Sequence, residues 1–283
     1  MNRDEVSLGI YEKAFPDGMS MLDMFRIAKS EGYDFFELSV DRTEERILRL
    51  YDTSFQQDLE DAILKGGFTV GTVVLSALST YTLGHPDTKI RERGMDIFHH
   101  AIDFASRFGI RIVQIPACDV PKFDTCTDES NHQFLNNLLH LVEYAAKQGV
   151  HVGLENMEND YMDTIQKCMA AIHFVNSPYF QLYSDAGNIT NALKNDIYEI
   201  LHDMQSGAGH LLSLHLKEVR PGKYGGLFYE GTDRGIVKFP QIVAHSLSLG
   251  VRRFAMEYWY RGGVNWRQDL ETATKFFSEW ISH

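Results

Sequence analysis

Four side chains of types that hold hard metal ions or move protons close four successive apolar runs of this chain. Glu155 ends "VHVGLE", Asp185 ends "FQLYSD", His215 lies in "LLSLHLK" and Glu257 in "RFAMEY". Each of the first two intervals is 30 residues. An ionised carboxylate taken out of water is costly unless it is paired or bound to a metal. Three carboxylates and one imidazole, brought together, form an oxygen-rich ligand set that suits Mn²⁺, Mg²⁺ or Zn²⁺. Without a cation, converging carboxylates would repel one another and shift their pKa values upward. Taken singly, each acid reads as a helix cap or a surface group just as well. Four such groups at four successive run ends are harder to read as four caps.

Convergence needs a scaffold, and the rest of the chain supplies its pattern. Eight apolar, β-branched runs recur: "VSLGIY" (6–11), "FFELSV" (35–40), "FTVGTVVLSA" (68–77), "IRIVQIPA" (110–117) and the four above. They are continuous rather than alternating, which suits strands covered on both faces. Their spacing of some 30 to 40 residues leaves room for a strand, a crossover helix and two loops. The gaps carry helical patterns. In "SMLDMFRIAKSEG", Met21, Leu22, Phe25 and Ala28 share one face, with Ser20 placed to cap and Asp23 three residues on. "NHQFLNNLLHLVEYAAKQG" and "LETATKFFSEWI" repeat the pattern. Gly32, Gly67, Gly109, Gly149 and Gly250 stand where a helix end wants a left-handed residue. No linker or composition shift divides the chain. The pattern predicts an α/β (β/α)₈ TIM barrel as a single domain over 1–283. An open doubly wound sheet is the runner-up. The first strand is followed by no Gly-x-Gly-x-x-Gly, and no Walker-type Gly-Lys-Ser/Thr occurs, so no nucleotide cofactor is expected.

Barrel enzymes carry their chemistry at the C-terminal strand ends. Besides the four residues above, those ends hold Glu12, Lys13, Glu37, Ser39, Asp41, Ser76, Ser79, Asp119, Asn156, Asn188, Lys217 and Glu218. His210 precedes its run and belongs at the bottom of the barrel. His99 and His100 fall on a helix, and Cys118 reads as a small core residue.

Composition narrows the partners. The net charge is −12, which repels phosphate backbones and argues against nucleic acid. No apolar run is long enough to span a membrane, and the N-terminus lacks the apolar core of a secretory signal. Three cysteines without Cys-x-x-Cys spacing fit a reducing cytoplasm.

The chain resembles the xylose isomerase-like barrel superfamily of sugar isomerases and epimerases. Within it the resemblance is to the L-xylulose-5-phosphate (L-ribulose-5-phosphate) 3-epimerases of L-ascorbate utilisation, a group also described as hexulose-6-phosphate isomerases. The blocks that carry it are "LGIYEKAFP" (8–16), "GYDFFELSVDRTEERILRL" (32–50), "FQLYSDAGN" (180–188), "HLLSLHLKEVRPGKY" (210–224) and "FAMEYW" (254–259). It implies that Glu155, Asp185, His215 and Glu257 bind one divalent metal ion, and that Glu155 and Glu257 are an acid/base pair on opposite faces of the substrate. The chain departs from related ketose 3-epimerases at Asn188, Pro221 and Tyr161, where they keep a histidine, an arginine and a glutamate. Those departures fit a change from free to phosphorylated sugar.

The implied reaction is 3-epimerisation of a ketopentose 5-phosphate, by removal of the proton beside the carbonyl to give an enediolate. A metal stabilises the charge, and two carboxylates move the proton on opposite faces. The phosphate needs cations. The loop after strand seven offers Lys217, Arg220, Lys223 and Arg234 among glycines, and Lys13 is a second candidate. Glu12, Glu37 and Asn188 are candidate sugar contacts, although Glu12 and Glu37 could instead pair with Lys13 or another cation. The expected partner is a small-molecule sugar phosphate rather than nucleic acid or membrane, together with a second copy of the chain in a homodimer. Rival readings are an aldose–ketose isomerase on the same fold, an endonuclease acting at abasic sites, and a barrel that binds a sugar phosphate without turnover.

Overall fold

The computed structural model describes residues 3–281 apart from 123, 221–222, 227–234, 261 and 264, with only the backbone of 4 and 223–226. The apolar runs form strands β1 (Ser7–Tyr11), β2 (Phe35–Ser39), β3 (Val70–Val74), β4 (Ile112–Pro116), β5 (His151–Glu155), β6 (Phe180–Asp185) and β7 (Leu211–Leu216). A short antiparallel pair follows, β8 (Glu218–Arg220) with β9 (Lys223–Gly226), and then the last barrel strand, β10 (Arg253–Met256). The strands are a few residues shorter than the apolar runs that announce them, because the runs continue into the flanking loops.

The barrel closes in the order β1-β10-β7-β6-β5-β4-β3-β2. Every neighbouring pair is parallel, so every connection must cross back over the sheet. The crossovers carry α1 (Met21–Ser30), α2 (Glu44–Leu48), α3 (Thr53–Gly66), α4 (Thr88–Arg107), α5 (Asp128–Lys147), α6 (Ile165–Val175), α7 (Ala186–Ala192), α8 (Ile197–Ser206) and α9 (Phe239–Ser248), and α10 (Trp266–Ile281) follows β10. The barrel expectation is met.

The local signals work as their chemistry requires. Ser20 Oγ accepts from the backbone N–H of Asp23 at 3.1 Å, and its hydroxyl donates to the Asp23 carboxylate at 2.7 Å. Phe25 on α1 is fully buried and meets Phe36 of β2 edge-on at 5.0 Å. Burial of such a ring is worth about 1.5–3 kcal/mol. The five glycines read as helix stops all take positive φ, from 56° to 92°. Among the described residues, no helix is long and apolar enough to cross a membrane.

Inside the barrel the filling is partly polar. Glu37, Thr72, Gln114, Tyr183 and His215 are all essentially without solvent exposure. Gly153 of β5 makes room for one of them: a Cβ there would come within 2.9 Å of the Tyr183 side chain.

Candidate active site

Strand β5 ends on Glu155, β6 on Asp185, and β7 carries His215 one residue before its end. Glu257 directly follows β10. Since β5, β6, β7 and β10 are consecutive in the barrel, the four side chains share one sector of its mouth. Asp185 and His215 stand opposite each other in the β6–β7 register. One ligand atom from each of the four lies within 4.8 Å of all the others. The imidazole sits between the acids: Nδ1 is 3.0 Å from Glu155 Oε1 and 3.2 Å from Glu257 Oε2. Asp185 and His215 have no solvent exposure, whereas Glu155 and Glu257 keep 6% and 8%, so the two glutamates alone reach the cavity above.

The cap reading of Asp185 is half right. Its carboxylate is the N-cap of α7 and accepts from the Asn188 N–H through Oδ1. Its other oxygen, Oδ2, is buried and has no hydrogen-bond partner. Buried carboxylate oxygens are rarely left so.

The charges around this point do not balance within the protein. Glu155, Asp185 and Glu257, with Glu37 at 3.0 Å from His215 Nε2, face one buried ammonium. Lys217 Nζ is 3.4 Å from Asp185 Oδ1 and 3.7 Å from Glu257 Oε2. Burial pushes the Asp185 carboxyl well above the usual range, although Lys217 acts against it. Burial would also raise Glu257, but the Lys217 and His215 charges reverse this and hold it ionised. Burial alone would lower Lys217; Asp185 and the neighbouring glutamates hold it up instead. Burial likewise opposes a charged His215, and the Glu37 and Glu257 carboxylates outweigh it. Even with His215 protonated beside Lys217, four ionised carboxylates leave an excess of negative charge that a divalent cation matches. With the unpaired Asp185 Oδ2 and the close ligand set, the residues fit such an ion.

A family model described as xylose isomerase-like TIM barrel matches residues 25–280. The chain belongs to that family. It is 38% identical over 230 residues to L-ribulose-5-phosphate 3-epimerase UlaE of Escherichia coli strain SE11, covering 80% of this chain and 79% of that one. The corresponding protein of Shigella flexneri matches to the same extent. Among solved structures, D-allulose 3-epimerase from Methylomonas sp. superposes with a TM-score of 0.78 at 17% identity over 98% of both chains. An L-ribulose 3-epimerase gives 0.76 at 16% identity, covering 98% of this chain and 95% of that one.

A cavity of about 390 Å³ opens over the cluster, within the range usual for small-molecule sites. Glu155, Glu257, Lys217, Lys13, Trp259 and Glu158 contribute to its wall. A larger cavity of about 1080 Å³ adjoins it, sharing Lys13 and Trp259 and including Arg46 and Arg49. Lys13 is paired with Asp41 at 2.6 Å rather than with Glu12. Glu12 is held instead by Arg46, by Arg49 at 2.8 and 2.9 Å, and by the Ser39 N–H at 2.8 Å.

Glu37, read as a sugar contact, lies beneath the imidazole with no exposure, so the alternative reading, a pair with a cation, is nearer its geometry. Asn188 is buried beside Asp185 and donates to the Asn156 carbonyl at 2.8 Å. Arg220 closes β8 and does not line the cavity over the cluster among its described residues. The side chain of Lys223, with Pro221 and Arg234, lies outside the described residues. Glu158 stands 3.7 Å from Lys122, and burial raises its pKa. Cys118 is buried as expected, its thiol pushed up to about 12 by desolvation. His210 sits at the base of β7, 3.1 Å from Gln181.

Two contributors escaped the sequence reading. Gln114 donates its side-chain N–H to Glu155 Oε2, and Tyr183 donates its hydroxyl to Glu37 Oε1. Gln114 is the one polar side chain inside "IVQIP", and that interruption was the signal available, whereas Tyr183 stands among other polar residues in "FQLYSD" and gave none.

Proposed function

We propose that this protein is a carbohydrate epimerase that inverts carbon 3 of a ketopentose 5-phosphate, interconverting L-xylulose 5-phosphate and L-ribulose 5-phosphate. Membership of the family and the 38% identity to a named L-ribulose-5-phosphate 3-epimerase support the class of reaction. One observation carries the assignment of roles: of the four clustered residues, only Glu155 and Glu257 line the cavity, and they approach His215 Nδ1 from separate strands.

Glu155, Asp185, His215 and Glu257 would hold the divalent cation. When bound, such an ion supplies Lewis-acid stabilisation of negative charge on the sugar oxygens beside it. Glu155 and Glu257 are the proton carriers. In the barrel order they are separated by β6 and β7, so they flank a sugar from two sides. One removes the proton next to the carbonyl and the other delivers a proton to the opposite face. A positioned acid or base of this kind contributes about 10² to 10⁴ in rate. Lys217, buried between Asp185 and Glu257, keeps Glu257 ionised and ready to accept. Gln114 occupies Glu155 Oε2 and leaves Oε1 toward the cluster.

The phosphate handle is assigned first to Lys13, which stands where the two cavities meet. Arg220 and Lys223 remain candidates from the segment after β7. Lys13→Ala should raise KM for the phosphorylated ketose far more than for its free sugar. An equal rise for both would move the phosphate elsewhere.

The reaction is tested by incubating the protein with L-xylulose 5-phosphate in D₂O and following the product by NMR. Deuterium at carbon 3 with inversion there is the expected result. Label appearing with conversion to an aldose would make the protein an isomerase, and no incorporation at all would leave it a binder.

A further inference from the structure

We infer that Glu37 and Tyr183 are positioning residues that fix the His215 imidazole with Nδ1 toward the carboxylate cluster and Nε2–H away from it. This rests on reading the cluster as a cation site.

Both ring nitrogens of His215 are committed. Nδ1 faces Glu155 Oε1 at 3.0 Å and Glu257 Oε2 at 3.2 Å, and Nε2 faces Glu37 Oε2 at 3.0 Å. A flipped ring would put carbon atoms at these positions and lose the contacts, so the orientation is determined by its partners. A carboxylate can only accept, so Glu37 keeps a proton on Nε2, and the proton on Nδ1, which faces Glu155 and Glu257, is the one a bound cation replaces. A ligand histidine commonly gives its second N–H to a carboxylate, which orients the ring and raises its basicity.

Glu37 is itself held. The Tyr183 hydroxyl donates to Glu37 Oε1, and the Tyr183 ring packs against the imidazole, with centroids 4.8 Å apart. Tyr183 OH also lies 3.4 Å from Thr72 Oγ1, which accepts from Arg253 at 3.1 Å. The chain Arg253–Thr72–Tyr183–Glu37–His215 therefore runs through the barrel interior to the cluster. The space for Tyr183 exists because residue 153 has no side chain. Neither Glu37 nor Tyr183 lines the cavity over the cluster, so neither is placed to touch substrate. Their effect passes through His215.

The test uses the whole chain, stripped of metal and titrated with Zn²⁺ alone against a chromophoric chelator. Wild type should bind one ion per chain, and Asp185→Asn should lose that binding. Glu37→Gln should weaken zinc affinity by about 10- to 100-fold, the usual loss on removing a partner of a ligand histidine. Tyr183→Phe, the gentler change, should weaken it less and in the same direction. In zinc-loaded wild type, long-range ¹H–¹⁵N spectra should show His215 as the Nε2–H tautomer, a readout that a purely packing role would not set. Wild-type affinity in both Glu37→Gln and Tyr183→Phe, or an Nδ1–H tautomer in wild type, would overturn the inference while leaving the cluster intact. Absence of zinc binding by wild type, or its persistence in Asp185→Asn, would remove the cluster reading first and this inference with it.

Discussion

Two buried acidic sites stand at the same barrel mouth and are built in opposite ways. Glu12, just after β1, is 4% exposed and has its charge met entirely by the protein, through Arg46, Arg49 and the Ser39 N–H. Glu155, Asp185 and Glu257 are as deeply buried, yet the described cations near them are Lys217 and, when protonated, His215. One oxygen of Asp185 has no partner. The first site is complete as it stands, its carboxylate neutralised within the protein. The second has charge and lone pairs to spare, which is what a site prepared for a cation looks like. A carboxylate at a strand end says little by itself; its neutralising partners decide what it is for.

The largest effect should come from the second site. Glu257→Gln should cut turnover by about 10² to 10⁴ with unchanged circular dichroism. Near-normal turnover would erase the distinction between the sites. Next, dialysis against EDTA should abolish activity and lower the melting temperature, and Mn²⁺ or Zn²⁺ should restore both. A ligand at 100 times its Kd stabilises by about 2.7 kcal/mol, so the thermal shift should be plain. Full activity after metal removal, verified by elemental analysis, would contradict the account.

At the first site the loss should be in stability. Glu12→Gln leaves Arg46 and Arg49 without their shared carboxylate and should cost about 3 kcal/mol in urea unfolding, as breaking a buried pair does. The folded variant should keep far more activity than Glu257→Gln. The smallest effect concerns Asp41. Burial would raise its pKa, but Lys13 and Thr43 more than offset this and hold it at about 2. Its folded pKa is therefore depressed. The stabilisation is full above the ordinary carboxylate range and lost as pH falls through about 2. Asp41→Asn should flatten acid unfolding between about pH 4 and 2, by no more than the ~1 kcal/mol of a part-exposed pair. An unchanged acid limb would mean the Lys13–Asp41 contact contributes nothing.

The two sites also differ in how far the sequence revealed them. Glu155, Asp185, His215 and Glu257 were legible because barrel geometry turns regular spacing into neighbourhood: residues 30 apart become adjacent at the mouth. The strands and glycine stops were legible for the same reason, since they depend on local pattern and backbone freedom. Partnerships were not. Glu12 could have paired with Lys13 next to it in sequence, and finds Arg46 and Arg49 instead, 34 and 37 residues on. Glu37 meets His215 across 178 residues. Strand alternation tells which side chains point inward, but not which inward residues share a level. That depends on stagger between strands, including the register shift between Phe36 and Glu37 in the β2–β3 pair.

The most direct measurement is anomalous diffraction from crystals of active enzyme grown with Mn²⁺. One anomalous peak per chain is expected within bonding distance of Glu155, Asp185, His215 and Glu257, and none beside Glu12. A cluster without a peak in fully active crystals, or a peak bound elsewhere, would contradict the cation reading of the cluster.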